Sequence, residues 1–295
     1  MRVFSSARYE LSLPGHIWPT AKYRLVAERI AGAVDLVEPR AVSWEDLALV
    51  HTREYLDKIR FNRLAPDEIA MLELPWVPEL ADGFRIMVGG TCNAAAAALD
   101  DRQSAHLGGG LHHAFANHGE GFCPLNDVSV AIRVLQRDRR IRRAAVVDCD
   151  VHHGNGTAMI FERDPDVFTF SIHQQHNYPA FKPRSDLDIG LEDGAGDTRY
   201  LSALSDALPR VMASRPELIV YLAGADPFAG DSLGGLSLTR EGLRERDRVV
   251  IAAARGQGAP LVTVLAGGYA ADIMDTVAIH AATIEEMLRV APSQV

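Results

Sequence analysis

The feature that most constrains this chain is a set of short apolar runs, each ending in a polar or glycine-rich cluster. Ser104 to Leu107 leads into three glycines, Ala144 to Val147 into DCDVHH, and Val167 to Ile172 into HQQH. Leu218 to Ala223 leads into GADP, and Pro260 to Leu265 into AGGY. Such runs, rich in β-branched residues and apolar on both faces, read as strands of a parallel sheet covered by helices on each side. Helical patterns fall between and around them: Ala21 to Val34, Gly89 to Leu99, Val128 to Gln136, Thr198 to Ala213, Thr239 to Ala254 and Asp272 to Val290. Strand and helix alternating at this spacing predict a doubly wound α/β fold. No Pro/Gly/Ser linker or internal repeat divides the chain, so residues 1–295 read as a single domain. The proline-spotted stretch from Phe61 to Gly83 reads as a long loop, a form that is often functional in compact domains. The polar clusters all follow carboxyl ends of strands, the edge at which open α/β sheets bind ligands.

Composition narrows the function classes. With 47% apolar and 23% charged residues the chain reads as a soluble globular protein. A formal charge of −9 argues against a non-specific grip on nucleic acid, whose phosphates it would repel, and tolerates a cationic substrate. Cys92, Cys123 and Cys149 have neither metal-ligand spacing nor the look of a disulfide framework, and read as small buried side chains of a reducing compartment. The opening MRVFSSARYE is too polar for a secretory signal, and no apolar run reaches the length of a membrane span. A cytoplasmic location is therefore the default expectation.

The densest chemistry lies in DCDVHHGNG, residues 148 to 156. Asp150 and His152 are two apart, so on an extended segment both face one side and can reach one ion. Asp148 lies one step further back on that side. The third ligand should come from another strand end, and Asp226 in YLAGADPFAGD is the best candidate, against the plainer reading of a turn or helix cap. Two carboxylates and one imidazole suit zinc, with a fourth position left for water. They suit ferrous iron as well.

His112 and His113 follow the glycines at 108 to 110. A neutral imidazole there is poised to take the proton of a metal-activated water. Either histidine could instead be a core residue or a ligand, and the residues alone do not divide the roles. Asp148 and Asn155 are the available partners for their second ring nitrogens; aspartate would raise a histidine's basicity, asparagine would only orient it. His106 and His118 read as structural or surface residues. Tyr269, after Gly267 and Gly268, could donate a hydrogen bond to a carbonyl oxygen becoming an oxyanion, a contact whose loss typically costs about 3 kcal/mol of transition-state stabilisation. Alone, that tyrosine could equally be a packed aromatic.

Taken together, GGGLHHAFANHGEGFCPLNDVSVA, VVDCDVHHGNGTAMIF, FSIHQQHNYP, LAGADPFAGDSLGGLSL and LAGGY closely resemble the zinc-dependent histone deacetylase superfamily. That superfamily includes bacterial deacetylase-like amidohydrolases and acetylpolyamine hydrolases. LPGHIWPTAKY and VHTREYL extend the resemblance over nearly the whole chain, and GDSLGGLSL looks most like the class IV branch and its bacterial relatives. The resemblance implies the arginase-like deacetylase fold, a mostly parallel eight-stranded sheet between helical layers. It implies Zn²⁺ on Asp150, His152 and Asp226, with His113 as general base and then acid. It makes His112 the electrostatic partner bonded to Asp148, and Tyr269 the residue that binds the substrate carbonyl beside Gly267 and Gly268. Gly121, Phe122 and Tyr178 would line an acyl-lysine tunnel. Asp148, Asp150, His152 and Ser171 resemble the set that wraps a structural K⁺, partly through backbone oxygens.

Asn155 stands where many class I members carry aspartate. The 61–83 stretch offers no clear match to the aspartate with which the family orients its substrate, Asp82 being the nearest on paper. The expected reaction is hydrolysis of an acyl amide of lysine or a related amine. An acetylpolyamine or other small acylamine is the alternative substrate. A dinuclear-metal ureohydrolase of the same fold is the rival activity, and the lone triad with HH and GGY argues against it.

Overall fold

The computed structural model describes residues 1–289. Its strands are β1 (Arg2–Phe4), β2 (Asp35–Val37), β3 (Gln103–His106), β4 (Ala144–Asp148), β5 (Val167–Gln174), β6 (Leu187–Leu191), β7 (Leu218–Leu222) and β8 (Leu261–Val264). They form one sheet in the order β2-β1-β3-β8-β7-β4-β5-β6, every adjacent pair parallel. The helices are α1 (Ala21–Ile30), α2 (Trp44–Leu47), α3 (Arg53–Arg60), α4 (Pro66–Leu72), α5 (Pro78–Asp101), α6 (Asp127–Arg137), α7 (Asn155–Phe161), α8 (Asp197–Ala213), α9 (Arg240–Gly256) and α10 (Ile273–Arg289).

Period-two alternation of the strands builds the layers. Along β4, Ala144 and Val146 pack with Ala94, Ala98, Val128 and Ile132 of α5 and α6. Ala145 and Val147 point the other way, into Leu204, Val250 and Ile284 of α8, α9 and α10. Leu218, Val220 and Leu222 of β7 repeat the first choice, and Ile219 and Tyr221 the second. Ala94, Ala95, Ala97 and Ala98 of α5 are buried against the sheet, where small side chains let a helix approach closely. A third apolar cluster, with Tyr9, Trp18, Tyr23, Leu72 and Phe84, covers the carboxyl edge of the sheet and includes Phe122 and Tyr269 at its margin.

The Phe61 to Gly83 stretch is not a long loop. Its prolines open helices: Pro66 begins α4 and Pro78 begins α5, at first-turn positions where the missing N–H has no partner to lose. α5 begins well before the Gly89 to Leu99 pattern and runs just past its end, to Asp101. The last helical pattern was expected to end at Val290, which lies outside the described residues. No helix among the described residues is long and apolar enough to cross a membrane. All three cysteines are free, Cys123 and Cys149 buried and Cys92 partly so.

Candidate active site

The segments leaving β3, β4, β5, β7 and β8 converge at the carboxyl edge around a cavity of about 160 Å³. His112, His113, Asp150, His152 and Tyr269 line it, together with Gly121, Phe122, Tyr178 and Gly267. Asp226, Asp148 and Asn155 stand behind these residues. Gly268 does not line the cavity. It has φ +146 and turns the chain, and its carbonyl accepts from Lys22 Nζ at 3.3 Å. Ser171 lies off the cavity as well, its hydroxyl 3.0 Å from His173 Nδ1.

Asp150, His152 and Asp226 bring one ligand atom each within 4.8 Å of one another, all three residues buried. His152 Nδ1 is 3.1 Å from Asp150 Oδ1 and 3.4 Å from Asp226 Oδ2. The second oxygens are held by backbone: Gly267 N–H donates to Asp150 Oδ2 at 2.8 Å, and Val151 N–H to Asp226 Oδ1 at 2.9 Å. Asp226 Oδ2 is left buried without a hydrogen-bond partner. Burial, then repulsion from Asp150, pushes Asp226 up to about 7. Burial also opposes ionisation of Asp150, but His112 and His152 hold it well below the usual carboxylate range. An orphaned oxygen between a carboxylate and an imidazole fits a bound cation, which supplies the missing partner and the missing countercharge. Gly267 is obligatory here, since a Cβ would lie 2.0 Å from Asp226 Oδ2.

A second group, His153, His173 and Asp188, also meets the distance criterion. Its carboxylate is already used: His153 Nε2 lies 3.2 Å from Asp188 Oδ1, and Ser185 N–H donates to Oδ2 at 2.8 Å. None of the three lines the cavity. The buried triad is therefore the better candidate for a metal site.

The adjacent histidines are made unequal by what lies behind them. His112 Nδ1 is 2.7 Å from Asp148 Oδ2, and His113 Nδ1 is 2.7 Å from Asn155 Oδ1. Burial favours the neutral form of His112, but Asp148 and Asp150 outweigh it and push the residue up to about 9. Burial, then the nearby His112 and His152, holds His113 well below the usual histidine range. The two Nε2 atoms are 3.1 Å apart, so only one of them carries a proton between them. The carboxylate behind His112 places it there, so the His113 Nε2 lone pair is the acceptor of the pair.

Tyr269 enters from β8, its N–H donating to Asp231 Oδ2 at 2.6 Å. Burial, then Asp150 and Asp226, raises its phenol well above the usual tyrosine value, so the hydroxyl remains a donor. Phe122 stands edge-on to it at 6.0 Å and stacks on Trp18 at 6.2 Å. Tyr178 stands edge-on to His113 at 4.9 Å. Gly121, with φ +51, lets both approach, because a Cβ there would lie 2.8 Å from the Tyr178 ring and 2.9 Å from that of His113.

Four residues that the motif reading passed over complete the site. Asp231 holds the backbone of Tyr269, Leu233 and Gly234. Lys22, fully buried, donates to the carbonyls of Ala266 and Gly268 and lies 5.3 Å from the Tyr269 ring. Burial lowers Lys22 to about 8. Glu120 accepts from Asn155 Nδ2. Glu73, in a left-handed conformation at the end of α4, lines the cavity mouth. Asp82 does not reach the cavity; it pairs with Arg85 at 3.1 Å on α5. Lys22 and Glu73 arrive from distant segments, while Glu120 and Asp231 lie inside the motif stretches at spacings that carry no ligand signal. His106 is a structural residue, buried between Tyr9 Oη at 2.7 Å and Thr91 Oγ1 at 2.9 Å, and His118 stacks on Phe115.

The profile of the family described as Histone deacetylase domain matches residues 16–284. The chain is similar to an uncharacterized protein of Picosynechococcus sp., 38% identical over 90% of each chain. It is 32% identical to histone deacetylase 2 of Arabidopsis thaliana, over 90% of this chain and 74% of that one. It is also 32% identical to the acetoin utilization protein AcuC of Bacillus subtilis, over 80% of this chain and 67% of that one. Among solved structures, the HDA15 HD domain superposes with a TM-score of 0.81 at 24% identity, over 99% of this chain and 90% of that one, a likeness of fold.

Proposed function

The chain belongs to the histone deacetylase domain family, and from that premise we propose that it is a metal-dependent deacylase of lysine side chains or related amines, residues 1–295 forming its catalytic domain. The observation that carries this reading is the orphaned Asp226 Oδ2 facing Asp150 and His152, with a neutral His113 and a protonated Tyr269 on the same cavity. Deacetylase-named relatives support hydrolysis of an acyl amide as the reaction class.

Asp150, His152 and Asp226 would hold the ion. Zinc is the reading preferred here, and ferrous iron suits the same ligands. When bound, such an ion supplies a Lewis acid that polarises the carbonyl and acidifies water. His113 takes the water proton at Nε2, and Asn155 Oδ1 accepts from its Nδ1–H. Charged His112, paired with Asp148, offsets negative charge developing on the substrate oxygen. Tyr269 donates to that oxygen. His113 then returns the proton to the departing amine, giving a carboxylate and a free amine. Gly121, Phe122 and Tyr178 wall the passage through which a thin aliphatic acyl-amine chain enters. Asp148, Asp150, His152 and Ser171 are proposed to wrap a structural K⁺. The Asp148 carboxylate and Ser171 hydroxyl already have partners, which leaves backbone oxygens as the main contribution from these two.

Glu73 at the mouth favours a cationic acylamine such as an acetylated polyamine as the second reading of the substrate. A panel of acetyl-lysine peptides, long-acyl-lysine peptides and acetylated polyamines tests both, with metal content measured on the same samples. Hydrolysis of none of them by metal-loaded enzyme contradicts the reading. Two manganese ions per chain would point to the ureohydrolase instead.

A further inference from the structure

We propose that Glu120 is a positioning residue that fixes which way the Asn155 amide faces, and through it which nitrogen of His113 is free to accept a proton. The proposal rests on the deacylase reading. Asn155 has two ends of nearly the same shape, an oxygen that accepts and an NH₂ that donates. Its oxygen lies 2.7 Å from His113 Nδ1, so that nitrogen carries the ring proton and Nε2 keeps its lone pair on the cavity side. Were the amide reversed, its NH₂ would meet Nδ1–H, and the ring could relieve that only by carrying its proton at Nε2, against the His112 Nε2–H, so the base would be blocked. Nothing in Asn155 itself selects one orientation over the other.

Glu120 makes the selection. Its Oε1 takes the Asn155 Nδ2 donor, and a carboxylate can only accept, so the NH₂ end is held away from His113. Asp148 behind His112 is a carboxylate with two equivalent ends and needs no such device. An aspartate at position 155 would likewise need none.

The turn that carries Glu120 is built to hold it. Cys123 N–H donates to the Glu120 carbonyl at 2.9 Å. Gly121 and Phe122 N–H groups donate to the carbonyls of Met71 and Leu72 at 3.1 and 2.9 Å. Both of those turn residues have positive φ, 51° and 68°. Glu120 is half-buried and is not among the residues lining the cavity; it hydrogen-bonds Asn155 and also neighbours the Tyr178 phenol.

The test compares Glu120→Gln in two backgrounds, the native one and Asn155→Asp, using metal-loaded protein and an acetyl-lysine peptide. Glutamine has the same shape but two unlike ends, so it no longer dictates the amide. In the native background kcat should fall about tenfold with KM unchanged, the size typical of lost partners that orient a site residue. In the Asn155→Asp background the same change should not lower kcat, because a carboxylate cannot be reversed. A ¹⁵N spectrum of labelled histidines, with His113 assigned by its loss in His113→Ala, should show the proton on Nδ1 in the native protein and a mixture in Glu120→Gln. An equal fall in both backgrounds, a change confined to KM, or an unaltered His113 tautomer overturns the proposal. Inactivity of the native protein towards acylated amines would instead overturn the deacylase reading, while the nitrogen spectrum still decides the role of Glu120.

Discussion

Asp148 and Asn155, far away in sequence, give the adjacent His112 and His113 unlike partners. Asp150 and His152 were legible as a candidate ligand pair because two such side chains on one extended segment leave a spacing, and the fold does bring them together. Tyr269 was legible only in combination. Spacing could not divide the two histidines, since that depends on which partner the fold sets behind each ring. Glu120 and Asp231 were invisible for the same reason. At this scale two outcomes are expected. Tyr269→Phe keeps the fold and the bound metal but loses a single donor, so kcat should drop by about 10²–10³ with little change in KM, as steady-state kinetics would show. An unchanged kcat would return Tyr269 to the reading of a packed aromatic. Asp226→Ala removes a ligand and should leave dialysed protein with far less metal than wild type, measured by elemental mass spectrometry. Full metal retention would contradict the ligand assignment.

Among the elements, the strands that alternation and apolarity revealed are the central ones, buried on both faces. β1 and β2 are three residues each, too short for a pattern, and the edge strand β6 alternates with exposed residues and a glycine. The prolines at 66 and 78 misled because they start helices as readily as they interrupt them. Two supports of the site are testable here. Asp127 opens α6 and accepts from the N–H groups of Gly110 and Leu111 at 3.0 and 2.6 Å, anchoring the turn that presents His112 and His113. Asp127→Ala leaves buried donors unpaired and should lower unfolding stability by about 3 kcal/mol in denaturant titration. A loss within error of zero would show that the turn holds itself. Behind Asp226, fully buried Arg246 of α9 pairs with Asp247 at 2.8 Å and donates to the Gly224 carbonyl. Arg246→Met strands the Asp247 carboxylate and should cost about 3–5 kcal/mol.

For the molecule as a whole, one layered sheet gathers segments from residue 108 to residue 269 at a single edge, and pH should act on that assembly through its neutral histidines. His51 accepts from Asn126 N–H at Nε2 and lies 3.0 Å from the Phe115 carbonyl through Nδ1, a pairing only the neutral ring can make. Burial lowers His51 to about 4. The unfolded chain therefore binds this proton more readily than the native one, so its contribution is intact above about pH 6.5 and is lost as pH falls towards 4. The melting temperature should fall through that window, less steeply in His51→Gln, and equal slopes would contradict the assignment. If Asp150, His152 and Asp226 hold a metal with which His113 and Tyr269 hydrolyse an acyl amide, both side chains are needed at equal metal content. Acetate release from an acetyl-lysine peptide by wild type, His113→Ala and Tyr269→Phe, each loaded with equal metal, tests it most directly. Turnover by the wild type and a loss of about 100-fold or more in both variants are expected. Comparable hydrolysis by all three would contradict it.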